Sequence, residues 1–329
     1  MKCIILAAGI GARLKPFTNS KPKPMLSILD KPVLEHLINH LASVNITEIY
    51  INLHYKGDKI KEYFKDGKEF GVSIIWREQE ELTGPAGSLL CFADLFKEDE
   101  DILIFSGDAV HDADINCLIE QHKRTEAVLT MLMKEVKNPT GYGVGMLGSD
   151  SKILQFIEKP VGLKDGIYTV NCGIYCINSS FIKRIPEKTV VDFVDLANIL
   201  IEENGLVYGH RTNNYWIDMG TPKNLLKANL DVLRSKISKL MPKIDDSKQL
   251  WLEDGVRIHP SAKLIGPVYI GENCVIEKGS EIIGPAVIGA NSIIKPNTHI
   301  SSSVVFGKSL VPEETILYGG LYGPLQRNC

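Results

Sequence analysis

The chain has 329 residues, a length at which two domains are more common than a single hydrophobic core. Hydrophobic residues make up 44% of the chain and charged residues 23%, which is ordinary for a soluble globular protein. The net charge of −3 provides no general attraction to nucleic acid or to an anionic membrane, so any bound phosphate must be held by local cations, and a small anionic ligand is favoured over a polyanion.

The cysteines and the N-terminus argue against several further classes of protein. The seven cysteines form no Cys-x-x-Cys pair, which argues against a disulfide scaffold and against a zinc site. The N-terminus leads directly into a predicted strand, without the charged and apolar regions of a secretion signal, and no stretch is long and apolar enough to span a membrane. These features predict a cytoplasmic protein.

The first distinctive stretch begins with a short apolar run at residues 1–6, which predicts a buried strand of a parallel sheet. Residues 7–12 then hold mainly glycine and alanine, so backbone N–H groups can come close to a bulky anion, and Arg13 and Lys23 add fixed positive charge. Leu14 stands where a dinucleotide fingerprint needs its third glycine, and the Gly-Lys-Ser/Thr of a Walker loop is absent. We therefore predict a triphosphate-binding loop, with a glycine-rich turn bearing exposed basic residues as the alternative.

Apolar runs alternate with helical patterns from the N-terminus to about residue 240, and this alternation predicts an α/β domain on a largely parallel sheet. Helices are expected at 32–41, 59–64, 88–96 and 221–240. Strands are expected at 48–53, 72–76, 102–105, 128–133, 153–158 and 170–177.

Two aspartates follow predicted strands in this region. Asp108 ends a strand in the sequence Ser-Gly-Asp, at the carboxyl edge of the sheet where α/β proteins bind ligands. Asp218 also follows a short apolar run and precedes a predicted helix. Because Mg²⁺ commonly binds one or two carboxylates together with phosphate oxygens, this pair suits a magnesium site. Aspartates that only cap a turn or a helix are the alternative.

Beyond a charged linker, large apolar residues recur at every sixth position of the sequence. In each hexad, the residue two positions before the large apolar one is small or β-branched. A Gly-Pro pair recurs after eighteen residues, so three hexads make one triangular coil. A large apolar residue at every sixth position points into the axis of a prism, and stacked coils bury one continuous column, which predicts a parallel β-helix. The residues of this column are Ile258, Leu264, Ile270, Ile276, Ile282, Ile288, Ile294, Ile300 and Phe306.

The Gly-x-Gly-x-Arg sequence that ends at Arg13, with Pro-Lys-Pro at residues 22–24, resembles the signature of sugar nucleotidyltransferases, which make NDP-sugars from an NTP and a sugar 1-phosphate. The hexads resemble the left-handed parallel β-helix of hexapeptide repeats. Together they are similar to mannose-1-phosphate guanylyltransferases and glucose-1-phosphate adenylyltransferases over nearly the whole chain. The resemblance implies a Rossmann-like catalytic domain at 1–240, a linker at 241–253 and a β-helix at 254–329. We expect the β-helix to form a homo-oligomer and to affect chemistry little.

The resemblance also implies Mg²⁺ as the cofactor and roles for individual residues. Arg13 would stabilise the β- and γ-phosphates and Lys23 the transferring phosphate, while Asp108 and Asp218 would hold the metal. The residues implied to bind the nucleotide are Leu6, Ala8, Gly9, Gly11, Gln79 and Gly84. Those implied to bind the sugar phosphate are Gly143, Glu158, Lys159 and Asn171, although each is also of a type common in turns or on surfaces.

The substrates are the least constrained feature. Residues 82–89 match the family segment that lies against the nucleobase, but they carry one inserted residue and an exchange of Thr and Gly. GTP with mannose 1-phosphate is the first expectation, and ATP or another NTP with glucose 1-phosphate, or with a cyclitol or heptose phosphate, is the alternative. A catalytically silent regulatory subunit and a hexapeptide acyltransferase that uses His259 or His299 are alternatives from other classes.

Overall fold

The structure, a computed structural model, describes residues 1–187, 189–237, 240 and 248–323. Its helices are α1 (Val33–Ser43), α2 (Gly57–Phe64), α3 (Gly84–Gly87), α4 (Ile115–Arg124), α5 (Phe193–Glu202) and α6 (Pro222–Leu233). The first thirteen strands are β1 (Lys2–Leu6), β2 (Ser27–Ile28), β3 (Lys31–Pro32), β4 (Glu48–Leu53), β5 (Ser73–Glu78), β6 (Asp101–Ser106), β7 (Ala109–His111), β8 (Leu129–Val136), β9 (Val144–Leu147), β10 (Ile153–Ile157), β11 (Tyr168–Asn178), β12 (Val207–Thr212) and β13 (Trp216–Asp218). The others are β14 (Leu250–Leu252), β15 (Arg257–Ile258), β16 (Lys263–Ile265), β17 (Val268–Ile270), β18 (Val275–Ile276), β19 (Glu281–Ile283), β20 (Ala286–Ile288), β21 (Ile293–Ile294), β22 (His299–Ser301), β23 (Val304–Val305), β24 (Leu310–Val311), β25 (Ile316–Tyr318) and β26 (Leu321–Tyr322).

The chain divides into two compact units. The first, called the sheet unit, holds Met1–Ile10 and Leu37–Trp216. The second, called the β-helix unit, holds Gly11–His36 and the chain from Ile217 onward. The segment that carries Arg13 and Lys23 is therefore grouped with the β-helix. The domain boundaries expected from the sequence stay a prediction, and residues 241–247 of the expected linker lie outside the described residues.

The sheet unit is built on a nine-stranded sheet with the central order β10-β9-β11-β6-β1-β4-β5; off this row, β8 pairs with β11 and β12 pairs with β8. Strand β1 is parallel to β4 and β6, whereas β11 is antiparallel to β6, β8 and β9. The α/β fold is confirmed, and its sheet is mixed: β5, β4, β1 and β6 are parallel to one another, and antiparallel pairing occurs around β11. Leu6 at the end of β1 lies opposite Asn52 and Ser106, so the loops after these three strands open at one edge of the sheet.

Most expected elements are present with small shifts at their ends, and two differ in kind or length. The helix expected at 88–96 is of the 3-10 type and covers Ser88–Leu95. The helix expected at 221–240 was predicted too long, because α6 ends at Leu233. Ser235 then has a φ of 58°, a left-handed conformation that does not continue an α-helix.

The β-helix consists of three parallel sheets, with the strand orders β14-β17-β20-β23-β26, β15-β18-β21-β24 and β16-β19-β22-β25. The hexapeptide β-helix predicted from the sequence is thereby confirmed, and its first strand, β14, precedes the expected start at residue 254. The central members of the apolar column are at most 1% exposed, and burial of such side chains stabilises a fold by about 1.5 to 3 kcal/mol each. These members are Ile270, Ile276, Ile282, Ile288, Ile294 and Ile300.

The prediction that Phe306 also belongs to the column is wrong. In the pairing of β20 with β23, Ile288 lies opposite Val305, and Val305 belongs to the buried apolar cluster of the coils. Ile300 and Val305 are five residues apart because the corner at Ser301–Ser303 is one residue shorter than the Gly-Pro corners before it. Since a shift of one residue reverses the face on which a strand residue lies, Phe306 is turned away from the axis. Its ring instead contacts Phe17, with 5.2 Å between the ring centroids.

Helix α6 and the β2–β3 hairpin belong to the same unit as the coils. Asn229 of α6 is completely buried, and its side chain accepts a hydrogen bond from Leu29 N–H at 2.8 Å and donates one to Ser27 O at 3.2 Å. In the same hairpin, Asp30 Oδ1 accepts a hydrogen bond from Ala290 N–H in the β-helix at 2.8 Å. The hairpin is thus held by both α6 and the coils. Within the described ranges of the chain, no helix has the length and apolar character needed to cross a bilayer.

Candidate active site

The loops after β1 and β6 lie side by side in the sheet unit. Gly107 N–H donates a hydrogen bond to Leu6 O at 2.9 Å, and a Cβ atom added to Gly107 would lie 3.0 Å from the same oxygen. This close approach brings Asp108, whose carboxylate accepts a hydrogen bond from Ser106 Oγ, next to the start of the predicted phosphate loop. Ala8 is buried there and Gly9 is exposed. The sequence-predicted residues Leu6, Ala8, Gly9 and Asp108 therefore share this edge of the sheet.

The other two predicted nucleotide-binding residues of the sheet unit, Gln79 and Gly84, belong to one buried polar network. The Gln79 side chain is 6% exposed and accepts hydrogen bonds from Asn52 Nδ2 at 2.9 Å and Ser88 Oγ at 3.0 Å. Ser88 Oγ also lies 2.8 Å from Gly84 O, so its single hydroxyl hydrogen is shared between the two acceptors, while Asn52 Oδ1 accepts from Ala7 N–H at 2.8 Å. The network thus connects the phosphate loop with residues 82–89. Sequence reasoning missed Asn52, although an asparagine inside a buried apolar strand was an available signal.

The four predicted sugar-phosphate residues lie together around β9, β10 and β11. A Cβ atom added to Gly143 would lie 2.8 Å from Glu158 Oε2 and 2.6 Å from the ring of Phe156, and Gly143 O accepts a hydrogen bond from Asn171 N–H at 3.0 Å. Glu158 forms an ion pair with Lys159, whose side chain is 60% exposed. One cluster thus contains a carboxylate, an amide, an accessible ammonium group and a glycine, a backbone position without a side chain. Such a cluster suits a polyhydroxylated ligand that carries a phosphate.

Aromatic side chains support this sugar-phosphate cluster. Asn171 Nδ2 donates a hydrogen bond to the hydroxyl of Tyr175 at 2.8 Å, and Asn171 Oδ1 accepts one from Gly173 N–H at 2.9 Å. Tyr175 stacks on Phe193, and its burial raises the pKa of its hydroxyl well above the ordinary value, so the hydroxyl stays neutral. Trp216 Nε1 donates to Cys172 O at 2.8 Å. Sequence reasoning did not include Tyr175, Phe193 and Trp216; the contacts of Phe193 with Tyr175 and of Trp216 with Cys172 join residues that are far apart in the sequence.

The remaining predicted residues form a cluster in the β-helix unit. Lys23 is 7% exposed, and its Nζ lies 3.3 Å from Asp218 Oδ1. A Cβ atom added to Gly220 would lie 2.5 Å from Asp218 Oδ2 and 2.9 Å from Arg13 Nη2, so both groups flank that glycine. Gly11 has a φ of 67°, and a Cβ atom there would lie 3.1 Å from Lys23 Cβ. Two cations and one carboxylate therefore meet around a tight backbone.

The carboxylates of Asp108 and Asp218 suit a magnesium ion in their donor chemistry. Both side chains are partly accessible and offer the hard oxygen atoms that Mg²⁺ prefers. In the described parts of the chain, no three His, Cys, Asp or Glu side chains come together as a metal site.

The two histidines considered for acyl transfer lie in the β-helix. His259 Nδ1 is 2.8 Å from Ser261 Oγ, and His299 Nδ1 is 3.6 Å from Glu281 Oε2. Both rings are thus engaged with neighbours on the surface of the coils.

Family comparisons cover most of the chain. Residues 2–235 match the nucleotidyl transferase family, and residues 251–284 match the bacterial transferase hexapeptide family of six repeats.

Individual relatives carry different substrate names. The chain is 28% identical to mannose-1-phosphate guanylyltransferase of Mycobacterium tuberculosis over 278 residues, which cover 84% of this chain and 76% of the relative. It is 32% identical to UTP–glucose-1-phosphate uridylyltransferase of Synechocystis over 315 residues, which cover 85% and 80%. The chain spans 62% of the bifunctional protein GlmU of Methanococcus maripaludis, with 32% identity over 271 residues. Among solved structures, HddC from Yersinia pseudotuberculosis complexed with GMP-PN is similar, with a TM-score of 0.59, 25% identity and coverage of 69% of this chain and 97% of that one.

Proposed function

The chain belongs to the nucleotidyl transferase family of sugar-1-phosphate nucleotidyltransferases, and we propose that it transfers the nucleotidyl group of GTP to mannose 1-phosphate, giving GDP-mannose and pyrophosphate. The observation that carries the proposal is the cluster of Arg13, Lys23 and Asp218, because transfer between two anions requires cations placed beside the reacting phosphates. ATP or another NTP with glucose 1-phosphate is the alternative, favoured by the name of the Synechocystis relative.

The reaction needs little covalent participation by the protein. A phosphate oxygen of the sugar 1-phosphate forms a bond to the α-phosphorus of the NTP, and the bond from that phosphorus to the bridging oxygen breaks, so that pyrophosphate leaves with the electron pair. Lys23 neutralises the transferring phosphate, and Arg13 neutralises the β- and γ-phosphates as negative charge develops on them. Lys159 holds the attacking phosphate in line, which lowers the entropic part of the barrier.

The other predicted residues bind and orient the substrates. Glu158 and Asn171 bind hydroxyl groups of the sugar, and the bare backbone of Gly143 lets the ring approach. The backbone at Leu6, Ala8, Gly9 and Gly11 binds the triphosphate, while Gln79 and Gly84 face the nucleobase. Asp108 and Asp218 would each offer carboxylate oxygens to Mg²⁺, and a bound ion would withdraw negative charge from the phosphates.

The choice of GTP and mannose 1-phosphate is supported by two similar proteins whose names refer to guanine nucleotides. The mycobacterial relative is a guanylyltransferase for mannose 1-phosphate, and HddC was solved with GMP-PN. A panel of five NTPs against several sugar 1-phosphates, measured by pyrophosphate release, tests the proposal directly. The highest kcat/KM is expected with GTP and mannose 1-phosphate. A higher value with another pair would replace these substrates, and release from no pair would refute the enzymatic function itself.

Lys23→Ala is the matching variant for the catalytic cluster. We expect its turnover to fall at least about 100-fold, because a buried cation next to the transferring phosphate is lost. Lys15→Ala is the control, since Lys15 is an exposed lysine of the same segment. Equal rates for the two variants would contradict the role of Lys23.

We further infer that the chain forms a homo-oligomer through its β-helix. Hexapeptide repeats support this proposal, as do the large apolar side chains that the third sheet of the prism exposes, such as Ile316 and Tyr318. Location in the cytoplasm stays a prediction.

A further inference from the structure

We propose that the β-helix fixes the segment that carries Arg13 and Lys23, and that Phe306 and Asp30 are positioning residues for nucleotidyl transfer. The inference rests on the proposed function. It reverses the expectation that the β-helix affects chemistry little, since residues 11–36 belong to the same compact unit as the coils.

The first anchor is Phe306, whose orientation results from the short corner at Ser301–Ser303. With a corner of the ordinary length, Phe306, the sixth residue after Ile300, would point into the axis of the prism. Here its ring faces Phe17 instead. Its ring centroid is 5.2 Å from that of Phe17, at an angle of 56° between the ring planes. Phe17 lies between Arg13 and Lys23 in the sequence. The aromatic contact therefore holds the middle of the segment that carries both cations.

The second anchor is Asp30, in the hairpin that follows Lys23. Asp30 Oδ1 accepts a hydrogen bond from Ala290 N–H at 2.8 Å. A Cβ atom added to Gly271 would lie only 1.7 Å from Asp30 Oδ2, so the aspartate can reach Ala290 only because a glycine stands in that coil. Burial raises the pKa of the Asp30 carboxyl, while the hydrogen bond that Asp30 accepts from Ala290 N–H opposes that rise.

Hydrogen bonds of ordinary length connect the two anchors to the backbone of the segment that carries Lys23. Thr18, the residue after Phe17, donates from Oγ1 to Gly11 O at 3.0 Å, and Leu26 N–H donates to Lys23 O at 3.1 Å. Val33 N–H donates to Leu26 O at 3.0 Å, which closes the hairpin that holds Asp30. Lys23 thus sits on a chain held at both ends. Since catalysis here depends on placing charge to within a fraction of an ångström, loss of an anchor should reduce turnover.

The first test compares Phe306→Ala with Phe306→Tyr. The alanine variant removes the ring contact, and we expect kcat to fall about 10-fold or more. The tyrosine variant keeps an aromatic ring and should restore most of kcat. KM for the sugar 1-phosphate should change less than about two-fold, because Gly143, Glu158 and Asn171 belong to the sheet unit.

Ile294→Ala is the structural control, because Ile294 is a fully buried residue of the apolar column. This variant should lower the melting temperature but leave kcat near the wild-type value. If Ile294→Ala lowers kcat as much as Phe306→Ala does, the effect is general destabilisation and the proposal is wrong. Wild-type kcat in Phe306→Ala would also overturn it.

Asp30→Ala and Asp30→Asn form the second pair. The asparagine keeps an oxygen that accepts from Ala290 N–H and should retain kcat within about two-fold, whereas the alanine should lose about 10-fold. Equal effects of the two substitutions would remove Asp30 from the proposal.

Amide hydrogen exchange of residues 11–28 provides a measurement that does not depend on the reaction. Exchange in this segment should be faster in Phe306→Ala than in Phe306→Tyr or Ile294→Ala. If the wild-type protein releases no pyrophosphate from any substrate pair, the proposed function fails, and the exchange result still decides whether the β-helix holds the segment. Unchanged exchange in Phe306→Ala would overturn the proposal.

Discussion

Gly143 occupies a position where even one added methyl group would collide with its surroundings. The nearest atoms to an added Cβ are Phe156 Cε1 at 2.6 Å, Glu158 Oε2 at 2.8 Å and Val194 Cγ2 at 3.2 Å. Phe156 and Val194 are buried, so they cannot move away easily, and the Glu158 carboxylate would be displaced instead. The glycine is therefore needed to hold Glu158 in the sugar-phosphate cluster.

At the residue scale we predict that Gly143→Ala raises KM for the sugar 1-phosphate about 10-fold, because the added methyl group displaces the Glu158 carboxylate. That factor corresponds to a loss of about 1.4 kcal/mol in binding free energy. KM for the NTP should change much less, and steady-state kinetics with each substrate varied in turn measures both. The control is Gly166→Ala, whose Cβ would lie at an ordinary contact distance of 3.4 Å from the Tyr168 ring. A Gly143→Ala enzyme with wild-type KM would mean that the sugar phosphate does not bind at this cluster.

The limits of sequence reasoning are clearest at the element scale. A strict six-residue period predicted the axial positions from Ile270 to Ile300, because each side of a regular coil is six residues long and turns the same residue of its hexad toward the axis. The same count fails at Phe306, since an aromatic residue satisfies the apolar pattern even where the phase has shifted. The absence of Gly-Pro at Ser301–Ser303 was the signal in the sequence that this corner differs. Only the pairing of β20 with β23 identifies Val305 as the axial residue.

The site shows a similar division between local and long-range information. Residues such as Glu158 and Asn171 were predicted because they belong to short motifs that resemble a family. The network of Asn52 and Gln79 was not, since it joins the ends of different strands through hydrogen bonds that no local pattern records. The positions of Arg13 and Lys23 against the β-helix likewise depend on contacts across more than 250 residues, such as that of Asp30 with Ala290, which are 260 residues apart.

Asn229 connects helix α6 to the β2–β3 hairpin, and its removal gives a prediction about stability at this scale. Asn229→Ala leaves the buried Leu29 N–H and the partly buried Ser27 O without these partners, and the buried group alone costs about 1 to 3 kcal/mol when it is unsatisfied. We expect denaturant unfolding to show a lower midpoint with an unchanged slope. Lys223→Ala, an exposed substitution on the same helix, should leave the free energy of unfolding within about 0.5 kcal/mol of wild type. An Asn229→Ala protein as stable as Lys223→Ala would exclude this role.

At the scale of the whole molecule, the coils take part in two kinds of contact. The sheet that contains β20 and β23 is used inside the chain, since both strands pack against α6, and Tyr269 and Val287 of this sheet are buried. The sheet that ends with β25 is different. Its last strand exposes Ile316 by 78% and Tyr318 by 80%, and Ile265 of β16 is 54% exposed. Large apolar side chains grouped on one regular sheet are typical of a surface that another subunit covers.

We therefore predict that the double substitution Ile316→Lys and Tyr318→Lys weakens the homo-oligomer. Two lysines on one self-complementary face repel their copies across a two-fold interface and lose the apolar area that would be buried there. Light scattering should give a lower mass for the variant than for the wild type at the same concentration. Leu310→Lys is the control, because Leu310 is 56% exposed on a different sheet of the prism. A wild-type mass in the double variant together with a reduced mass in Leu310→Lys would move the interface to that other sheet, and a monomeric wild type would exclude the oligomer.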